Sequence, residues 1–330
     1  MHIPDNYLSP STCAVMAVVA IPVWAVSIKK IKEEIPKERI PLIGISASFS
    51  FLMMMFNVPL PGGTTGHAVG SGLIALILGP YAACIATSIA LLIQALIFGD
   101  GGILSFGANC FNMAIVLPFT SYWIYNFIKK YIKSKHSETL GMIAGSYIGL
   151  NIAALCAAVE FGIQPLLFTN TSGQPLYCPY PLSISIPAML IPHLLVAGVV
   201  EAAFTIAIFS FIKKLSPDVI YSKEKADIKF ASILIGALIC LTPIGLLASG
   251  TAWGEWGTDE ISSYVQNGTA LGFVPEGMKN GFSFNSLIPD YALNGVNEFI
   301  GYILSAVIGV ALLILLFKII GSLKQKSINE

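Results

Sequence analysis

Long apolar segments separated by short basic connections constrain this chain more than any other feature of its sequence. We place these segments at about residues 11–28, 40–56, 66–79, 81–98, 108–128, 140–159, 183–212, 230–248 and 299–320. A helix needs about 20 apolar residues to cross a bilayer, and every segment except 66–79 approaches that length. Only 11% of the 330 residues are charged, against roughly 25% in a soluble domain. The chain is therefore predicted to be an all-α integral membrane protein.

The basic residues indicate how many segments cross the membrane. Segment 66–79 is short and ends at Gly79-Pro80, where a helix would be interrupted. If all nine segments cross and the N-terminus is outside, every Lys and Arg except Lys279 falls on the inner side. Merging segment 66–79 with the next one would move Lys129 and Lys130 outside, against the positive-inside rule. We therefore predict nine spans in the cell membrane, with the N-terminus outside and the C-terminus inside.

The first apolar segment is predicted to be a retained helix, because no basic residue precedes it and no small-residue cleavage site ends it. Residues 1–215 are predicted to form a seven-span domain with short loops, followed by a charged inner linker at 216–229. Residues 230–330 hold two further spans around an outer loop at 248–298, rich in Gly, Asn and acidic residues. A loop of this length is either functional or partly disordered.

Several classes of protein are disfavoured by the residues themselves. The chain contains no GxxxxGK[ST] motif, so any ATP-driven activity needs an ATPase on another subunit. Its net charge is zero, which gives no attraction to nucleic acid. An intramembrane enzyme is disfavoured because neither HExxH nor GxSxG occurs. An ion-coupled secondary transporter stays open, with His193 and Glu201 of segment 183–212 as its proton pair.

The first two residues, Met1-His2, form a potential metal chelator. The α-amine, the deprotonated amide nitrogen of His2 and His2 Nδ1 can close a five-membered and a six-membered ring around one ion. Three nitrogens in one plane leave a fourth in-plane position open. Square-planar nitrogen coordination suits Ni²⁺ or Cu²⁺.

A second histidine, His67, ends a Pro/Gly-rich outer connection that begins at Asn57. Irregular backbone at membrane depth occurs only where it lines a cavity or is buried in protein. Two interpretations are open here: His67 supplies the fourth nitrogen, or it is a core histidine hydrogen-bonded to backbone.

Other polar residues near the outer ends of spans are candidates for orienting ligands or closing a lid. Gln94 and Asp100 lie at the end of segment 81–98, and Asn109 and Asn112 begin the next segment at i and i+3. Such residues also serve as hydrogen-bonding contacts between helices. His193 and Glu201 are about 12 Å apart along one helix, too far to share a metal.

These motifs together resemble the CbiM/NikM family, the substrate-capture (S) components of energy-coupling-factor (ECF) transporters for Co²⁺ and Ni²⁺. The resemblance covers about residues 1–215, and it is carried by Met1-His2, by Pro61-Gly-Gly-Thr-x-Gly-His67, by Gln94-Ala-Leu-x-Phe-Gly-Asp-Gly-Gly102 and by Gly107-Ala-Asn109-x-Phe-Asn112. The tail, with Tyr291-Ala-Leu and residues 301–310, resembles the NikN/CbiN accessory component. The fold implied is a seven-helix S-component bundle plus two further helices.

The resemblance implies one transported ion, Ni²⁺ or Co²⁺, bound by the Met1 amine, by the main chain and ring of His2, and by His67. It implies no organic cofactor and no catalytic residue. It also implies partners, namely a transmembrane coupling (T) protein and ABC-type ATPase subunits. Fusion of the two parts in one chain favours nickel over cobalt.

Overall fold

The computed structural model describes residues 1–62, 64–221, 228–248, 250–266 and 269–329. Its α-helices are α1 (Pro10–Glu34), α2 (Ile40–Met55), α3 (Ser71–Leu78), α4 (Pro80–Ile93), α5 (Phe106–Asn109), α6 (Leu117–Tyr131), α7 (Ser137–Gly162), α8 (Gln164–Leu167), α9 (Leu182–Pro192), α10 (Gly198–Leu215), α11 (Pro217–Tyr221), α12 (Lys229–Leu241), α13 (Glu276–Lys279) and α14 (Glu298–Asn329). Short antiparallel pairs join β1 (Val58–Leu60) to β2 (Thr64–Gly66) and β3 (Val265–Gln266) to β4 (Thr269–Ala270).

Three π-helical turns and three 3₁₀ turns complete the described secondary structure. The π turns are Gln94–Phe98, Cys110–Val116 and His193–Ala197, and each continues an α-helix without a break. The 3₁₀ turns are Lys37–Arg39, Thr242–Leu247 and Pro289–Tyr291. Residues 222–227 of the predicted linker, with Lys223, Glu224, Lys225 and Asp227, lie outside the described residues.

Seven helical stretches of the described chain are long and apolar enough to cross a membrane. They are Pro10–Glu34, Lys37–Met55, Pro80–Phe98, Ser137–Leu167, Leu182–Leu215, Lys229–Leu247 and Glu298–Ile320. The chain is thus a multi-pass, all-α membrane protein, as predicted. The predicted segment 108–128 is not among the seven, although helix runs unbroken from Phe106 to Tyr131. Its asparagines, aromatic residues and lysines make this stretch less apolar than the others.

The prediction of a full spanning helix over 66–79 is wrong. Helix α3 has eight residues and is therefore only about 12 Å long. The chain still passes from one face of the bundle to the other here: Thr64 accepts a hydrogen bond from Trp253 N, whereas Leu78 and Gly79 line a cleft with Lys30 and Arg39. Irregular backbone before α3 covers the remaining distance, and it is tolerated because residues 64–70 are buried in protein.

The C-terminal part of the chain packs directly on the helices that precede it. Helix α14 lies against α2, where Phe317 contacts Gly44 and Phe51 contacts Gly309. Tyr302 Oη donates a hydrogen bond to the Met55 carbonyl at the end of α2, 2.9 Å away. The loop before α14 reaches the face of the bundle where α2 ends and α1 begins, so it lies close to the N-terminus.

Candidate metal centre

The N-terminal segment is folded into the bundle instead of extending from it. Met1, His2 and Ile3 are 5%, 2% and 0% exposed. This burial requires the neighbouring loop to come very close. Gly101, at φ +80°, would place a β-carbon 3.2 Å from the His2 ring, so a side chain there would be strained as well as crowded.

Asn109 holds this segment in place through both ends of its side-chain amide. Its Oδ1 accepts from Ile3 N at 2.8 Å, and its Nδ2 donates to the Ile3 carbonyl at 3.0 Å. The Asp5 carboxylate accepts hydrogen bonds from Ile103 N and Leu104 N at 3.1 and 2.7 Å. The start of the chain is therefore fixed by the loop that links Phe98 to α5.

The two histidines singled out by the sequence lie side by side. His2 Nδ1 is 3.2 Å from His67 Nε2, and the ring centroids are 5.0 Å apart. Both side chains are buried. His67 Nδ1 is 3.1 Å from the carbonyl of Ala68, so the ring nitrogen that faces His2 is the one left for another partner. Neighbouring nitrogen ligands on a first-row metal, each about 2.0–2.1 Å from the ion, are about 2.9 Å apart at a right angle. The observed spacing fits one shared ion.

Asp100 approaches the same nitrogen of His2 and is held by two further residues. Its Oδ1 lies 3.2 Å from His2 Nδ1. Its Oδ2 accepts from Gln94 Nε2 at 3.0 Å and from Tyr291 Oη at 2.5 Å, and Gln94 Nε2 also lies 2.9 Å from Tyr291 Oη. Gln94 and Asp100 thus lie next to the histidine pair, and the C-terminal part adds Tyr291.

Glu255, in the loop before α14, faces the N-terminal amine of Met1 at 3.5 Å. Its carboxylate also lies beside the backbone amide of His2. Its side chain is 22% exposed, whereas that of Met1 is 1% exposed. The amine and the His2 amide are two of the nitrogens expected in the chelate. A residue far along the chain thus lies beside both of them.

Burial and the charged terminus set the electrostatics of this centre. Burial, together with the nearby ammonium of Met1, lowers the pKa of His2 to about 3, so the ring is neutral around neutral pH. Burial also raises the pKa of Asp100, an effect partly offset by its hydrogen bond from Tyr291. Burial raises the pKa of Glu255 to about 7, although the Met1 ammonium opposes this. The centre therefore combines neutral imidazole with carboxylates that a cation would stabilise.

Three other predicted residues lie away from the histidine pair. Asn112 Nδ2 donates to Glu160 Oε2 at 2.9 Å. His193 Nδ1 is 2.7 Å from the Met189 carbonyl, one turn back on its own helix. Glu201 accepts hydrogen bonds from the Val69 and Gly70 amides at 2.8 and 3.0 Å. It thereby satisfies amide groups at the start of α3, two residues after His67.

Three of the predicted residues, Gln94, Asn112 and His193, share one structural feature: each lies in a π-helical turn. Such turns are rare and often occur at functional sites. Among the described residues, no group of three His, Cys, Asp or Glu side chains has the spacing of a metal site. The arrangement at His2 differs from such groups because main-chain nitrogens would complete it.

The sequence did not point to Glu255 or Tyr291 as residues of the site, nor to Glu160 as the partner of Asn112. Glu255 lies between Trp253 and Trp256, and Tyr291 follows Pro289-Asp290. Two tryptophans on either side of an acid in a polar loop indicate that this segment packs against another part of the protein. That pattern is the feature of the sequence from which the burial of the segment around Glu255 could have been predicted.

Comparisons with known proteins agree with this architecture. Residues 2–219 match the CbiM family, described as the cobalt uptake substrate-specific transmembrane region. Residues 229–326 match the PDGLE domain. A "probable fused nickel transport protein LarMN" from Lactiplantibacillus plantarum is 49% identical over 96% of this chain and 97% of its own length.

Two further similarities cover different lengths of the chain. The "fused nickel transport protein NikMN" of Rhodobacter capsulatus is 44% identical over 95% of each chain. A crystal structure described as a truncated transition metal transporter is 50% identical, with a TM-score of 0.62, over 65% of this chain and 99% of its own. These relatives are all named as transport proteins. The chain belongs to the CbiM family, and it carries a PDGLE domain after its CbiM region.

Proposed function

We propose that this chain is the substrate-capture subunit of an ECF-type ABC importer and takes up Ni²⁺, or Co²⁺, from outside the cell. The observation that carries the proposal is the 3.2 Å approach of His2 Nδ1 to His67 Nε2 beside a buried N-terminus. Two buried, adjacent imidazole nitrogens at a terminal amine form a donor set for a transition-metal ion. The names of the fused relatives support nickel as the transported substrate, and the description of the family supports cobalt.

The proposed ligands are the Met1 amine, the His2 amide nitrogen, His2 Nδ1 and His67 Nε2. The first three would close the five- and six-membered rings, and His67 would occupy the fourth in-plane position. The carboxylates of Asp100 and Glu255 would offset the charge of a dication in this buried place. Asn109 would keep the terminus in the geometry that chelation requires.

Nickel is the ion that we propose first. A square plane of four nitrogens suits Ni²⁺ and Cu²⁺, and the two fused relatives are named for nickel. Copper binds such donors more tightly than nickel, so affinity alone would not select Ni²⁺. We infer that low copper availability, or crowding above and below the plane, decides which ion is carried. Cobalt is the second candidate because the family description names it.

The proposed partners are a transmembrane T protein and a pair of ABC-type ATPase subunits. This proposal rests on family membership and on the lack of a P-loop in the sequence. Within the chain, we propose residues 1–215 as the metal-capture domain, 216–229 as an inner linker and 230–330 as the accessory domain.

The direct test is metal analysis of the purified protein with its native N-terminus, followed by uptake into membrane vesicles. We expect about one Ni²⁺ per chain and uptake only when T and ATPase subunits are present with ATP. Uptake that follows a pH gradient without an ATPase would contradict the proposal. It would favour an ion-coupled secondary transporter, in which His193 and Glu201 are the candidate proton carriers.

Orientation in the membrane needs its own experiment. We propose that the N-terminus and the loop at 248–298 face outward and that the C-terminus faces inward. In a chain without its own cysteines, Thr258→Cys should react with a membrane-impermeant reagent, whereas Tyr131→Cys should react only with a permeant one. Labelling of position 131 by the impermeant reagent would refute this orientation.

A further inference from the structure

Glu255 has contacts that set it apart from the other acids of its loop. It faces the ammonium of Met1 at 3.5 Å and lies beside the backbone N–H of His2. By contrast, Asp259 is exposed, and Glu260 contacts the hydroxyl of Thr251 at 3.0 Å within the loop. Glu255 is therefore the acid of this segment that reaches the main chain of both terminal residues.

The position of Glu255 is fixed by its neighbours. Trp253 and Trp256 are 6% and 5% exposed, and their rings pack edge to face with centroids 5.7 Å apart. Trp253 N donates to Thr64 Oγ1 at 2.7 Å, on the strand that leads to His67. The Trp256 carbonyl accepts from Tyr7 Oη at 2.9 Å, on the segment that follows His2. The loop is thus fastened to both chain segments that bear the histidines.

A free amine at a chain end rotates about several bonds, so an unrestrained terminus would lose conformational entropy when it chelates a metal. A carboxylate held against the amine and the next amide removes much of that freedom beforehand. Preorganisation of this kind raises affinity because it lowers the cost of ordering the ligand. Glu255 is placed to do this for the two main-chain nitrogens, neither of which has a side chain to position it.

We propose that Glu255 is a positioning residue of the metal centre, supplied by the C-terminal part of the chain to hold the Met1 amine and the His2 amide in chelating geometry. This inference rests on the proposed function, because it assumes that these nitrogens bind the ion. It assigns a direct role to a loop whose purpose the sequence left open. It also gives a physical reason for joining the two parts in one chain.

The first test is Ni²⁺ titration of the full-length protein and three variants. Loss of a residue that orients metal ligands typically weakens binding about 10- to 100-fold, so we expect that loss for Glu255→Ala. Glu255→Gln keeps a hydrogen-bond acceptor but no charge, and it should fall between the wild type and Glu255→Ala. Asp259→Asn removes one negative charge from the same loop and should leave affinity unchanged. Melting temperatures of all four proteins report whether each is folded.

The second test is specific to the amine. One glycine placed before Met1 moves the free amine out of its position and leaves only weak Ni²⁺ binding by the remaining imidazoles. Glu255→Ala should cause no further loss of this residual affinity in the extended chain. In the native chain the same substitution should also shift the visible absorption band of bound Ni²⁺, because that band depends on the in-plane nitrogens. A purely structural effect of Glu255 would lower affinity equally in both chains.

The outcomes separate the two proposals. Native affinity and an unshifted band in both Glu255 variants would overturn the role of Glu255 and leave the proposed function standing. An equal loss in the native and extended chains would also overturn it. Failure of the unaltered protein to bind Ni²⁺ at all would remove the proposed function, and this inference with it.

Discussion

His2 Nδ1 lies 3.2 Å from His67 Nε2, although 65 residues separate the two histidines in the chain. Two separate sets of hydrogen bonds bring these histidines together. Asn109 clamps the backbone of Ile3, and Glu201 accepts hydrogen bonds from the amides that follow Ala68. Each set of hydrogen bonds positions one histidine, so each can be tested by a substitution that leaves the proposed ligands unchanged.

Replacement of His67 by alanine should leave a three-nitrogen chelate completed by water. We expect weaker but measurable Ni²⁺ binding, together with a change in the visible spectrum of the bound ion. His136→Ala is the matched control, because His136 is exposed on the connection between α6 and α7. Isothermal titration of both variants measures the effect. Equal affinity of the two variants would exclude His67 as a ligand.

A single residue added before Met1 should abolish tight Ni²⁺ binding while the protein still folds and inserts. The extension turns the amine into a peptide nitrogen and moves the free amine out of the chelate ring, yet every side chain remains. The same residue added after Glu330 is the control. Because loss of an orienting residue costs only about 10- to 100-fold, an equally mild effect would mean that the amine is not a ligand.

Acidification should weaken metal binding because the amine and the His2 amide must each release a proton. The ring of His2 adds little, since burial lowers its pKa to about 3 and the ring is already neutral. Glu255, whose pKa is raised to about 7 by burial, faces the amine and should release part of a proton when a cation binds. We therefore expect about two to three protons per metal between pH 6 and 7. Titration in buffers of different ionisation enthalpy counts them, and an affinity independent of pH would contradict the ligand set.

Glu201→Gln should destabilise the protein and weaken nickel binding. Its carboxylate accepts from the Val69 and Gly70 amides, and glutamine would turn one acceptor into a donor that faces a buried N–H. A buried donor without a partner costs about 1–3 kcal/mol. Glu138→Gln is the control, because the ion pairs of Glu138 lie near the surface and contribute about 0–1 kcal/mol. Thermal unfolding in detergent should separate the two variants, and equal melting temperatures would remove this role of Glu201.

Tyr291→Phe should weaken Ni²⁺ binding without unfolding the protein. The substitution removes the hydroxyl that donates to Asp100, and Asp100 is the carboxylate beside His2 Nδ1. Tyr302→Phe removes a comparable buried hydroxyl, which donates to the Met55 carbonyl instead of to Asp100. We expect a loss of up to about 10-fold for Tyr291→Phe, at the low end for residues that orient ligands. Equal affinities of the two variants would show that Asp100 needs no donor from the C-terminal part.

The sequence alone determined the class of the protein, its apolar segments and the residues that first suggest a metal centre. Inside a bilayer every backbone N–H and C=O group needs a hydrogen-bond partner within the protein. A long apolar segment therefore predicts a helix, with few alternatives. The Met1-His2 terminus was recognisable because its chelating atoms are adjacent in the chain. Asn109 and Asp100 became candidates because they lie where two successive predicted spans end and begin on the outer side.

The tertiary structure decided which of the predicted residues act together. Asn109 and Asn112 lie at i and i+3, yet Asn109 holds Ile3 while Asn112 contacts Glu160. The π-helical turn that begins at Cys110 changes the direction of the side chains between them, and helical periodicity does not predict such a turn. His193 and Glu201 were predicted together because both are ionisable residues of one apolar segment. In the structure His193 lies within hydrogen-bond distance of the Met189 carbonyl, whereas Glu201 accepts a hydrogen bond from the Val69 amide.

Only the folded chain could show that Glu255 and Tyr291 reach the candidate metal centre. Both belong to a loop without hydrophobic periodicity, and the packing of Trp253 and Trp256 against residues far away in the sequence places Glu255. Contacts of this kind depend on the shape of two surfaces that form only after the helices have assembled. Local sequence therefore determined most of the apolar spans and the candidate chelating residues at the terminus. Long-range packing determined what surrounds that terminus.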